Sequence, residues 1–78
     1  MNQRQRNVGL RIALVRSGLS SLEISRRAKI TPTAISLYAN GWRVPTGPIR
    51  KRIAKVLRVP EGDLWPEEAE KLAQTVLE

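Results

Sequence analysis

The side chains that could do chemistry in this 78-residue chain are fourteen lysines and arginines, set against seven aspartates and glutamates. There is no histidine and no cysteine. The commonest general base and metal ligand is therefore missing, as are thiolate nucleophiles, thiolate metal sites and disulfides. Six of the seven acids stand at or beyond Glu61, so the sequence offers no catalytic constellation and implies no cofactor. What remains is charge: residues 1–58 carry +12 and residues 59–78 carry −5, for a net charge of +7. A basic body with an acidic end piece suits one face turned to a polyanion and another turned away.

The cations need elements to position them, and the stretch Gly18 to Gly41 supplies two. Ser20-x-x-Glu23 fits a capping box that opens a helix over about Ser21 to Lys29. Leu22 and Ile24 begin its apolar set and Ala28 completes it. Thr31 then reads as an N-cap with Pro32 as the first helical residue. Ala34, Ile35, Tyr38 and Ala39 are spaced for one buried stripe, and Asn40-Gly41 stops this second helix. Helices this short are not stable alone and must pack on each other and on flanking helices. Two short helices joined by a tight turn make a helix-turn-helix.

These residues also carry a resemblance. Leu19-Ser20, Glu23-Ile24, Ile30-Thr31, Ile35-Ser36, Gly41, Pro45, Ile53-Ala54, Leu57 and Val59 through Leu64-Trp65 resemble the lambda-repressor-like, Cro/repressor family of DNA-binding domains. The similarity runs from about Leu10 to Trp65, and the closing Leu64-Trp65-Pro66 looks particularly like the small Ner-like phage regulators. Ser25 departs from the alanine usual in the family and Lys29 from the glycine common in its turn. Ser25 is small enough to keep a close helix contact, whereas Lys29 carries a backbone cost if its φ is positive.

The expected fold is all-α: a compact five-helix domain with the helix-turn-helix at helices two and three. Residues 1–7, with Arg4 and Arg6, read as a flexible basic arm that reaches a phosphate or the minor groove, or as a merely disordered start. Residues 8–65 form the DNA-binding domain. Helix one covers about Asn7 to Ser17 with Gly18 ending it, and Leu10, Ala13 and Leu14 are its core candidates. Ile12 and Val15 fall on other faces; burial within the monomer is expected, and a self-association surface is the alternative. Helix four, about Pro48 to Arg58, turns Ile49, Ile53, Ala54, Val56 and Leu57 inward, leaving Arg50, Lys51, Arg52, Lys55 and Arg58 outside. Trp65 plugs the bottom of the core. Trp42 is expected at the core edge, with a stack on a sugar or a partner contact as alternatives. Residues 66–78 form an acidic amphipathic helix whose stripe, Ala69, Leu72, Ala73, Val76 and Leu77, must cover something: helix one or the same helix of a second copy.

The resemblance implies that helix three is the reader, with Thr31, Pro32, Thr33, Ser36 and Leu37 facing bases in the major groove. That set lacks the Gln, Asn or Arg of bidentate base contacts, so direct readout is expected to be modest and DNA shape to supply much of the rest. Phosphate contacts are expected from Ser20, Ser21, Asn40, Arg43, Thr46, Arg50 and Lys51. The function implied is a sequence-specific double-stranded DNA-binding transcriptional regulator, most simply a phage or prophage repressor acting by occupancy. An antitoxin that grips a toxin, or an RNA- or protein-binding use of the fold, would be the alternatives. The expected partners are DNA and a second copy through helix one or Leu72, Val76 and Leu77. No membrane span, no small-molecule ligand and a cytoplasmic, nucleoid-associated location are expected.

Overall fold

A computed structural model describes residues 6–68. Among the described residues five helices follow one another, α1 (Val8–Ser17), α2 (Ser21–Ala28), α3 (Pro32–Ala39), α4 (Gly47–Leu57) and α5 (Glu61–Leu64), and residues 66–68 are helical as well. Among the described residues there is no strand. The proposed stripe through Leu72, Val76 and Leu77, and Arg4 of the arm, lie outside the described residues.

Each helix boundary has a local cause. Asn7 Oδ1 accepts from the Leu10 amide at 2.9 Å and caps α1, while Gly18 ends it at φ 70°. Ser20 Oγ accepts from the Glu23 amide, and Thr31 Oγ1 from the Ala34 amide, each at 3.1 Å. Only half of the expected capping box forms, because Glu23 pairs with Arg27 at 2.9 Å, one helical turn on. Thr46 stands at the N-cap of α4, but its hydroxyl makes no capping bond. The turn between α2 and α3 is built on Lys29 in the left-handed region, φ 59°, with the Ile30 amide bonded back to the Ser25 carbonyl at 3.0 Å. That is a Schellman stop made without glycine. Arg58 ends α4 in the same way, at φ 58°.

The core is a single cluster. Leu10, Ile24, Ile53 and Leu64 are fully buried, joined by Ala13, Ala28, Ile35, Ala39, Ala54, Leu57 and Trp65. Burying each of the large aliphatic side chains contributes roughly 1.5–3 kcal/mol. α2 packs on both α3 and α4, and α1 packs on α5. The small residues Ser25 and Ala28 let α2 approach its neighbours closely. Ser25 is 2% exposed, and its hydroxyl donates to the Leu22 carbonyl at 2.7 Å, so the departure from alanine leaves no buried polar group unpaired.

Four apolar side chains lie elsewhere than expected. Leu22 is exposed, because it stands two positions before Ile24 and about 200° of helix rotation turns it outward. Ile12 and Val15 are also exposed; with Val8 they form an apolar stripe at i, i+4 and i+7 along the outside of α1. The stripe is uncovered by any of the described residues, and Val15 is 83% exposed. Trp42 is 62% exposed rather than at the core edge. Gly41, at φ 78°, swings the chain out of α3 and the Trp42 amide bonds the Leu37 carbonyl at 2.9 Å, while Leu64 and Trp65 occupy the core below.

Asn7 corrects the boundary of the arm. Its backbone amide donates to the Ala39 carbonyl at 3.1 Å and its Nδ2 to the Leu64 carbonyl at 2.8 Å, in addition to the cap on Leu10. The residue joins the start of α1 to the ends of α3 and α5 and belongs to the domain. Gly9, the second residue of α1, lets α1 approach α5 closely: a Cβ there would lie 2.7 Å from the Asp63 carbonyl oxygen.

Candidate nucleic-acid interface

α3 buries Ile35 and Ala39 and half-buries Ala34 and Tyr38. Its phase therefore leaves Thr31, Pro32, Thr33 and Ser36 in solvent, with Leu37 half-buried beside them. The hydroxyls differ in what they can still do. Thr31 accepts the Ala34 amide, so its lone pairs are partly used while its proton is available to donate. Ser36 Oγ accepts from Asn40 Nδ2 at 3.3 Å, and the same amide donates to the Ser36 carbonyl at 2.9 Å. Asn40 thus steadies the last turn of α3 with its amino group, leaving its carbonyl oxygen as the group turned to other uses. Thr33 is exposed and its hydroxyl makes none of the side-chain bonds that cap this helix.

Two helix starts accompany this exposed face. At the first, Ser20 and Ser21 are exposed at the N-terminus of α2, where the leading amides of a helix have no partner within it and the dipole favours an anion. Glu23, the one acid in the basic body, stands in that first turn. Its carboxylate is drawn to Arg27, which offsets the repulsion it would exert on a phosphate. At the second, Thr46 is exposed at the start of α4 with its hydroxyl uncommitted to the cap, and Arg43 and Lys51 are exposed to either side in sequence.

Arg50 does not belong to this surface. Its side chain is only 12% exposed, with Nε 2.9 Å from Glu61 Oε1 and Nη1 donating to the Pro45 carbonyl at 2.7 Å. Glu68 approaches the same guanidinium at 4.0 Å. The expected phosphate contact is instead a strut between the loop before α4 and the α5 region. Arg52 is likewise engaged rather than merely solvated, donating from Nε to the Ala28 carbonyl at 2.9 Å. A cation there satisfies an end carbonyl of α2 and suits its dipole. Arg6 and Arg43 border a groove that Asp63 and Glu67 also line. The separation of charge along the chain is therefore not a separation in space at this edge.

No described residues form a cluster of acids able to hold a metal ion, and none of the described helices is long and apolar enough to cross a membrane. Two short helices packed on each other and joined by the tight turn at Lys29, with the second exposed along one face, make a helix-turn-helix. Comparison with known families agrees: a helix-turn-helix family model matches residues 10–64, and the chain belongs to that family, of the Cro/repressor type. No curated protein and no solved structure gives a significant match. The chain is a DNA-binding transcriptional regulator with a lambda-repressor-like fold.

Sequence reasoning set Asn7 at the start of helix one without its bonds to Ala39 and Leu64, and missed the contacts of Gly9 and Arg52. Asn directly before the run Val8-Gly9-Leu10 was an available N-cap signal. Nothing local marks the contacts of Gly9 and Arg52, which are made to residues far along the chain.

Proposed function

We propose that the protein is a repressor of phage or prophage type that acts by occupying its operator. α3 enters the major groove with Thr33 and Ser36 towards base edges, and Pro32 and Leu37 pack on thymine methyls. Thr31 donates at the helix start. Ser20 and Ser21 at one helix start, and Thr46, Arg43 and Lys51 at the other, hold the phosphates on either side, with Asn40 and the arm residues Arg4 and Arg6 as outer contacts. Bound protein excludes polymerase or a competing factor.

The observation that carries this reading is the combination on one domain of an exposed, uncharged α3 face and two exposed helix starts with hydroxyls. An uncharged reader with surrounding cations draws affinity from phosphates and specificity from a few hydroxyls and from DNA shape. Selecting bound sequences from a random duplex pool tests it: a defined site should emerge, with preference at the Thr33 position relaxed by Thr33→Ala. Affinity should fall roughly 10³–10⁵-fold between 50 and 200 mM salt, as for about 6–10 phosphate contacts. A pool that yields no preferred site, or a nearly flat salt dependence, defeats the proposal.

The exposed stripe of Val8, Ile12 and Val15 supports a homodimer through α1 as the operator-bound form. Half-sites would then lie about 34–36 Å apart and be related by a two-fold axis. Val15→Glu should leave a monomer in sedimentation, and selected sites that lack any symmetry would argue for monomers bound independently.

A further inference from the structure

We infer that the outer side of α4 and the end of α2 form a second phosphate-binding face, built on Lys29, Lys55 and Arg58, which holds the flank of the bound duplex along α4. The inference rests on the placement of α3 in the major groove proposed above.

Residues 24–60 contain nine lysines and arginines and no acid. Lys51 and Lys55 stand one above the other on α4, Arg58 follows at i+7, and all three are exposed. Like charges at that spacing weaken a helix, so stability does not explain the stripe. Backbone conformation singles out the same surface. Lys29 and Arg58 are the non-glycine residues with positive φ among the described residues, at 59° and 58°, and both are cations at helix ends where glycine is unstrained. The left-handed backbone costs such a residue more than the helix dipole returns to an exposed cation, and strain of that kind gathers at functional surfaces. Arg52 ties the two helices together there, since its Nε donates at 2.9 Å to the carbonyl of Ala28, the residue before Lys29. Among the described residues none of Lys29, Lys51, Lys55 and Arg58 has an ion-pair partner.

The chemistry of the face selects its occupant. No large apolar side chain is exposed on α4 or beside Lys29, so a protein partner finds nothing there to bury, whereas phosphates need only charge. The stripe starts at Lys51, proposed above to hold a phosphate, and runs about 10 Å along the helix to Arg58. That continuity favours the flank of the same duplex over a separate one, and the added contacts offset the cost of bending it.

The test compares the intact chain with the triple variant Lys29→Gly, Lys55→Ala and Arg58→Gly. Each change removes a charge while relieving left-handed backbone or favouring the helix, so the variant should resist urea at least as well as the wild type. The probes are duplexes carrying the site selected from the random pool, one of about 12 base pairs, little more than a helical turn, and one of about 30. On the long duplex the variant should lower the salt slope by about 2–3, close to 0.9 for each of three phosphates, and leave it unchanged on the short one. Energy transfer between labels at the two ends of the long duplex should rise on binding of the wild type and rise less with the variant. Equal slopes for variant and wild type on the long duplex, while Lys51→Ala still lowers the slope, overturn the inference and leave the α3 reading standing. The same loss on both lengths overturns it by placing these cations inside the main interface. Energy transfer between two differently labelled duplexes that only the wild type supports overturns it in favour of bridging. A variant less stable than the wild type in urea overturns it in favour of carboxylates of the chain as the occupants. No selected site and no binding of either duplex overturn both readings.

Discussion

Replacing Asn7 with alanine isolates the junction on which the orientation of α1 depends. Two side-chain bonds disappear: the cap accepted from the Leu10 amide and the bond donated to the Leu64 carbonyl, at 2.9 and 2.8 Å. Loss of an N-cap is worth about 1 kcal/mol. Loss of the bond to a part-buried carbonyl adds about 1 kcal/mol, since that oxygen is left without its side-chain donor. The backbone bond to Ala39 is unaffected by the substitution, so the expected total is about 2 kcal/mol. For a domain of this size that is a fall in Tm of roughly 8–16 °C. Asn7→Asp separates the two contributions. A carboxylate keeps the cap, and favours the dipole, but presents an acceptor to the Leu64 carbonyl. It should therefore be destabilised by about 1 kcal/mol, between the wild type and the alanine variant. Urea unfolding followed by the fluorescence of the buried Trp65 measures both. An alanine variant within about 0.5 kcal/mol of wild type, the usual range for surface changes, would refute the junction, and so would an aspartate variant less stable than the alanine one.

Gly9→Ala should destabilise by about 1 kcal/mol despite a gain in helix propensity, because its Cβ would meet the Asp63 carbonyl oxygen at 2.7 Å and force α1 away from α5; a more stable variant in thermal unfolding would contradict that contact. Lys29→Gly should stabilise by about 0.5–1 kcal/mol by relieving the left-handed conformation at φ 59°, whereas Lys29→Ala should give no gain; chemical denaturation of the pair decides it. Arg50→Ala should lower stability by about 2 kcal/mol, the part-exposed equivalent of breaking a buried ion pair with Glu61, with little change in the salt slope of DNA binding. Lys51→Ala should do the reverse, with stability held and the slope reduced by about one.

The helix-turn-helix was legible along the chain because its boundaries are local events. Ser20 to Glu23 and Thr31 to Ala34 are bonds between residues three apart, and the stops at Gly18, Lys29 and Gly41 bond backbone groups within a single turn. Cap chemistry and helical spacing alone bring such groups together, so residue types suffice to place the starts, the stops at Gly18 and Gly41 and the inward stripe of Ile24, Ala28, Ile35 and Ala39, whereas nothing in the type of Lys29 marks a stop. Family resemblance then extended this to the outward set on α3, whose exposure follows from the same helical phase.

Packing decided everything that joins residues distant in the chain. Arg50 and Lys51 are adjacent and chemically alike in sequence, yet one is held by Glu61 and Pro45 and the other is exposed. Arg52 finds the end of α2, 24 residues away, and Asn7 finds Leu64 across 57 residues. A long cationic side chain has many conformers of similar energy, and the acceptor that selects one exists only once the helices are assembled. The same holds for exposure. Trp42, Val15 and Leu22 are apolar enough for a core, but a core this small is filled by Leu10, Ile24, Ile53, Leu64 and Trp65, and the surplus is left on the surface.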